Sequence, residues 1–222
     1  MEDIKSNIKW ILSQIPSRVK LVAVSKTKPV SDIMVAYNAG QRIFGENRVQ
    51  ELLKKKDSLP SDIEWHLIGH LQTNKVKFVI PFISMIQSAD TYKLLGVINN
   101  EALKINRIVS CLLQVHIASE ETKYGFSMPE LEEMLNDDVF KTFRNIRLCG
   151  VMGMATYTDD EAKVRNEFAY LAECYNKLRR NYFIDDQYFN EISMGMSGDY
   201  LIAISEGSTM IRIGSLIFGE RK

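Results

Sequence analysis

Residues 20–40 read KLVAVSKTKPVSDIMVAYNAG. The first six, KLVAVS, are an apolar, partly β-branched run of the length of a buried strand. The last eleven, VSDIMVAYNAG, carry apolar residues at helical spacing and stop at Gly40, a residue suited to the left-handed turn that ends helices. Between them lies a short turn with two ammonium groups, Lys26 and Lys28, and Pro29. A strand followed by a short turn and a helix is the repeating unit of α/β folds. The number of repeats along the chain decides which one.

The pattern recurs to the end of the sequence. An amphipathic helix marked by Ile4, Ile8, Ile11, Leu12 and Ile15 precedes the first unit and stops at Pro16. RIFGE (42–46), EWHLIGH (64–70), FISMIQS (82–88) and RIVSCLLQVHIA (107–118) then read as strands, as do NIRLCGVMGM (145–154), YFNEISMG (188–195) and MIRIGS (210–215). Helical segments alternate with them: NRVQELLKKKDS with its LLKKKDS end in solvent, a short QTNKVKFVI, DTYKLLGVINNEALK with Asp90 as N-cap, and MPELEEMLND. A long helix carries Val164, Phe168, Leu171, Tyr175 and Leu178 at spacings of four, three, four and three, and SGDYLIAISEG follows strand seven. About eight strand–helix units close a parallel (β/α)8 barrel. An open doubly wound sheet is the alternative, but it usually has a glycine-rich first turn, which this chain lacks. The expectation is one barrel domain spanning residues 1–222 with an additional N-terminal helix.

Bulk properties narrow the function. Twenty-eight basic and 28 acidic residues give a formal net charge of zero, which points to no nucleic-acid or membrane-surface partner. Cys111, Cys149 and Cys174 are scattered and odd in number, which argues against a disulfide framework. The N-terminus has acidic residues and no long apolar core, unlike a signal peptide, and no run approaches a membrane span. A cytoplasmic protein is expected.

In a (β/α)8 barrel, functional side chains stand at the C-terminal ends of strands. Alternation puts Lys26 on the face of Val22 and Val24, so an inward face would lift it into the barrel mouth. Lys28 shares the parity but precedes Pro29, where the chain leaves the sheet. A buried lysine whose amine is uncharged attacks carbonyls; a lysine at a strand end is otherwise a surface residue. Barrels also carry phosphate sites in the loops after strands seven and eight. Here Ser193, Gly195, Ser197 and Gly198 flank a turn into a helix, and Arg212, Gly214 and Ser215 follow. Exposed backbone N–H groups and hydroxyls in such turns bind phosphate. A lysine opposite a phosphate cup is a natural host for pyridoxal 5′-phosphate.

LVAVSKTKP (21–29), FGENRVQE (44–51), WHLIGHLQTNK (65–75), SMGMSGD (193–199) and GSTMIRIGSLIFGER (207–221) resemble the YggS/PROSC family of pyridoxal-phosphate-binding proteins over nearly the whole chain. The resemblance implies the barrel of the alanine racemase N-terminal domain (fold type III) without the second domain. It implies that Lys26 is the Schiff-base lysine. Ser197, Gly214 and Ser215 would hold the phosphate, Arg212 would face the pyridine nitrogen, and Asn47 would lie near the ring. Arginine at that nitrogen disfavours its protonation and weakens the ring as an electron sink.

Other constellations are weaker. His66 and His70 would lie ~13 Å apart on a strand, too far to share a metal, and no ligand set accompanies them. His66 is expected in the interior, His116 on a core strand, and His70 at the mouth within reach of the cofactor. Met152, Met154, Met194 and Met196 follow strands six and seven; Met194 is a candidate ring contact, with ordinary packing the alternative. Tyr92, Tyr157 and Tyr200 are candidate acid–base groups, but a two-base racemase takes its second base from a second domain, which this chain is expected to lack. The expected function is a monomeric carrier that buffers pyridoxal phosphate, regulates its homeostasis and passes it to apo-enzymes without efficient amino-acid turnover. A pyridoxal-phosphate-dependent racemase or decarboxylase is the alternative, and a lysine-imine aldolase a third reading.

Overall fold

The structure, a computed structural model, describes residues 4–119 and 124–220. Eight parallel strands close into a barrel in chain order: β1 (Lys20–Val24), β2 (Ile43–Glu46), β3 (Glu64–Leu67), β4 (Met85–Ala89), β5 (Val109–Gln114), β6 (Ile146–Met152), β7 (Glu191–Ser193) and β8 (Met210–Ile213). β1 pairs with both β2 and β8, which closes the ring and excludes the open sheet. Outside run α1 (Ile4–Gln14), α2 (Val30–Asn38), α3 (Val49–Lys56), α4 (Val76–Val79), α5 (Tyr92–Lys104), α6 (Met128–Asn136), α7 (Glu161–Tyr182), α8 (Tyr200–Ser205) and α9 (Ser215–Phe218).

Strand parity divides the core in two. Leu21, Ala23, Phe44, Trp65, Leu67, Ile211 and Ile213 face outward and pack with the helices. Residues of the other parity fill the interior, where Leu112, Cys149 and Met152 form a separate apolar cluster beside Met85 and Met154. Gly150 shows how tightly the wall is drawn. It sits at φ +143°, where a Cβ would lie 1.9 Å from the Glu191 carbonyl oxygen. The register between β5 and β6 shifts at this point, so the glycine marks a bulge.

Several local expectations change. The cap of α5 is Thr91, whose side chain accepts from the Leu94 N–H; Asp90 instead bonds the His70 ring at 2.6 Å. Lys55, read as part of a solvated helix end, is buried. The period of α3 explains it: Val49, Leu52 and Lys55 recur at three-residue spacing on one stripe. β5 ends at Gln114, so His116 lies beyond the strand, half-buried. The short helix after β8 was not anticipated. Among the described residues no helix is long and apolar enough to cross a membrane, and no group of three or more His, Cys, Asp or Glu side chains could hold a metal.

Candidate cofactor site

A cavity of about 570 Å³ opens at the C-terminal end of the barrel, within the usual range for small-molecule sites. Val24 and Lys26 reach it from β1 and the turn beyond, Asn47 from the turn after β2, and Ile68 from the end of β3. Ser197, Gly198 and Asp199 line it from the β7 loop, and Arg212, Gly214 and Ser215 from β8 and the start of α9. The strand-end lysine, the two Ser/Gly loops, Asn47 and the arginine expected from the sequence thus share one cavity.

The turn carrying Lys26 is held from three sides. The Ser25 hydroxyl donates to Glu46 Oε1 at 2.7 Å, and Lys55 Nζ donates to the Ser25 carbonyl at 2.9 Å. The Thr27 N–H donates to Glu51 Oε1 at 2.5 Å, with Thr27 in the left-handed region at φ 66°, a conformation β-branched residues rarely adopt. Lys55 also meets Glu46 at 2.8 Å and Glu51 at 2.6 Å, so one buried ammonium ties both carboxylates to the turn. Burial pushes the Glu46 carboxyl up, against the opposing pull of its bonds from Lys55 and Ser25. Lys28 also lines the cavity, but its ammonium is turned onto the end of α9. Its ammonium donates to the carbonyls of Phe218, Gly219 and Glu220 at 2.8, 3.1 and 3.3 Å, at the C-terminal end of α9. Cations suit that helix end.

Across the cavity, Gly195 stands at φ +96° where a Cβ would meet that of Ala203 at 2.6 Å, so only glycine brings the β7 loop this close to α8. Asp199 closes the loop by accepting from the Met196 N–H at 2.5 Å. Burial raises the Asp199 carboxyl, while that bond and the Arg212 charge pull it down. Ser197 Oγ accepts a long 3.4 Å bond from the Gly214 N–H, linking the two loops.

Arg212 is 3% exposed. Its Nη1 donates to Ser193 Oγ at 2.7 Å and its Nη2 to the Gly153 carbonyl at 2.9 Å. Burial draws the guanidinium down to about 10, opposed by the Asp199 charge, so it stays cationic at neutral pH.

Several sequence candidates fall outside this lining. Met194 is fully buried in the helix-facing core, because its parity is opposite to that of Ser193; Met154 and Met196 line the cavity instead. Ser193 belongs to the barrel interior rather than the phosphate loop. His70 stacks on Tyr124 at 4.1 Å and is not among the lining residues. Tyr200 is in the core and Tyr92 bonds Asp137, which leaves Tyr157, fully exposed at the rim. The sequence reading missed Asp199 and the Glu46–Lys55–Glu51 group. Helical spacing of Lys55 behind Leu52 was the signal for the latter; for Asp199 the only signal was its place at the end of the SMGMSGD motif.

A family model described as "Alanine racemase, N-terminal domain" matches residues 1–222. The chain belongs to this family. Within it, the chain is 41% identical over 204 residues to the pyridoxal phosphate homeostasis protein of Aquifex aeolicus, covering 91% of this chain and 87% of that one. It is 37% identical over 219 residues to the protein of the same name from Homo sapiens, covering 91% and 76%. Among solved structures it resembles PipY of Synechococcus elongatus PCC7942 with PLP bound, at 33% identity and TM-score 0.88 over 97% of this chain and 100% of PipY. An alanine racemase of Clostridium difficile 630, 12% identical, has a TM-score of 0.77 over all of this chain and 56% of the racemase. That likeness is one of fold.

Proposed function

We propose that this family member binds pyridoxal 5′-phosphate in the barrel mouth, holds and releases it, and so buffers the cofactor without efficient amino-acid turnover. The observation that carries the reading is a single cavity joining the strand-one lysine to two Ser/Gly loops and a buried arginine. The donor set fits the cofactor: an amine for an aldehyde, hydroxyls and turn N–H groups for a phosphate, and a guanidinium for a ring nitrogen. The PLP-bound PipY structure and the names of the relatives support it.

In this reading Lys26 joins the aldehyde, Ser197, Gly214 and Ser215 hold the phosphate, and Asn47 sits by the ring. The chemistry the group supplies when bound is an aldehyde open to primary amines on a ring that draws electrons. Lys28 is less suited to the aldehyde because three carbonyls occupy its ammonium. Arg212 would face the ring nitrogen and keep a proton off it, since two cations would otherwise meet; an acidic partner would do the reverse. The site that results binds well and stabilises carbanions poorly. Tyr157, the one candidate acid–base tyrosine in the lining, is fully exposed and cannot offer the water-excluded setting that fast proton transfer uses. We further infer one domain over residues 1–222, a cytoplasmic location, a monomer in solution, and apo-enzymes as recipients.

The test follows the cofactor and the chemistry together. Protein loaded with pyridoxal phosphate should be yellow, restore activity to an apo-enzyme, and exchange deuterium at Cα of amino acids at rates close to those of free cofactor. Acceleration of about 10⁶-fold for any amino acid, the low end for enzymes, would establish the racemase-type reading instead.

A further inference from the structure

Four side chains from four strands meet inside the barrel below the cavity: His66 on β3, Gln87 on β4, Ser193 on β7 and Arg212 on β8. None is more than 3% exposed. Arg212 Nη1 lies 2.7 Å from Ser193 Oγ, Ser193 Oγ lies 2.7 Å from Gln87 Oε1, and Gln87 Nε2 lies 2.8 Å from His66 Nδ1.

The chemistry of the groups sets the direction of the chain. A guanidinium only donates, so Ser193 Oγ accepts from it. The Ser193 hydroxyl proton then goes to the Gln87 carbonyl oxygen. That orientation turns the Gln87 amide nitrogen toward His66 and toward Met210 Sδ, a second acceptor 3.1 Å away. Reversing the amide would strand the serine proton and set an amide oxygen against sulfur. With Gln87 donating to Nδ1, the ring proton of His66 must sit on Nε2, and a second proton has no place. Burial independently draws His66 down to about 3, and the Lys20 ammonium acts in the same sense.

We propose that Ser193, Gln87 and His66 are positioning residues for Arg212: a one-way chain of neutral acceptors that aims the guanidinium into the cavity and leaves its charge unspent. This rests on the reading that Arg212 meets the ring nitrogen of bound pyridoxal phosphate. Among the described residues Arg212 has no carboxylate as a hydrogen-bond partner, only a hydroxyl and a carbonyl; Asp199 attracts it through space. The chain therefore fixes the fork of the arginine without neutralising it. A carboxylate at position 87 would do both, and would require a proton on Nδ1 of His66.

The experiment has two arms. In the first, ring ¹⁵N shifts of His66 are measured at pH 7 on labelled protein without cofactor. Wild type should show the Nε2–H tautomer. Gln87→Glu should show a proton on Nδ1, and Ser193→Ala, a smaller change, should show mixed tautomers. An Nδ1–H tautomer in wild type would overturn the chain, whatever the variants do. In the second arm, deuterium exchange at Cα of alanine is followed at saturating pyridoxal phosphate. Gln87→Glu should exchange at least ~10-fold faster than wild type, because a compensated arginine no longer excludes a proton from the ring nitrogen. Unchanged exchange in a variant whose His66 has switched would overturn the link between the chain and that nitrogen. Failure of wild type to load at all would instead refute the proposed function, and the first arm would still decide the chain.

Discussion

Lys55 and Arg212 are both cations withdrawn from water, and their surroundings differ in kind. Lys55, behind the β1 turn, meets two carboxylates and a carbonyl within 2.9 Å. Arg212, inside the barrel, has a hydroxyl and a carbonyl as its partners. A buried charge without compensation is costly, and proteins keep one where a ligand uses it. Lys55 is thus part of the frame that holds the Lys26 turn, while Arg212 presents its charge to the cavity. The frame is not perfectly satisfied either: Glu46 Oε2 is buried without a hydrogen-bond partner among the described residues, consistent with the upward push on that carboxyl.

Removing the compensated cation should have the largest effect on stability. Lys55→Met strands Glu46, fully buried, and should cost about 3–5 kcal/mol in urea unfolding, as for other broken buried pairs. Arg212→Met leaves a hydroxyl and a carbonyl as its former hydrogen-bond partners and takes from Asp199 only a through-space attraction, so it should cost less, about 1–3 kcal/mol, while weakening discrimination at the cofactor ring. Equal losses in the two variants would erase the contrast.

The interior is also where pH should act. His66 is drawn down to about 3 in the folded protein, while an unfolded histidine titrates near ~6.5. Below that value the unfolded state binds the extra proton, so stability from neutral His66 is full above ~6.5 and falls as pH drops toward 3. Between pH 7 and pH 4.5 the loss should reach about 2–3 kcal/mol. His66→Gln, which can still accept from Gln87, should lose correspondingly less over that interval; an identical slope in the two proteins would place the acid sensitivity elsewhere.

At the phosphate end the expected effect falls on ligand binding rather than on stability. With Ser197 holding the phosphate as proposed, Ser197→Ala should cost one charge-assisted hydrogen bond, about 1.5–3 kcal/mol, and weaken pyridoxal phosphate more than pyridoxal in equilibrium dialysis. Equal weakening of both ligands would show that the loop does not hold the phosphate.

The sequence carried the barrel because period-two and period-3.6 patterns alternate through it, as in residues 20–40. The cavity residues on strand ends were legible for the same reason: parity fixes which side chains face inward, and Lys26 and Arg212 follow it. Parity also shows why Met194, one residue after inward Ser193, lies outside the cavity lining. What could not be read depends on contacts distant in sequence. Gln87 meets Ser193 across 106 residues, and the role of Asp199 exists only because the β7 loop folds back on Met196. Lys55 lies between these cases, since its helical spacing was visible but its charge argued for solvent.

The central claim, that Lys26 and not Lys28 carries the cofactor, is tested most directly by borohydride reduction and mass spectrometry of the protein mixed with pyridoxal phosphate. Wild type and Lys28→Ala should each gain one covalently fixed cofactor, and Lys26→Ala should gain none. A fixed cofactor in Lys26→Ala that disappears in Lys28→Ala would contradict the account.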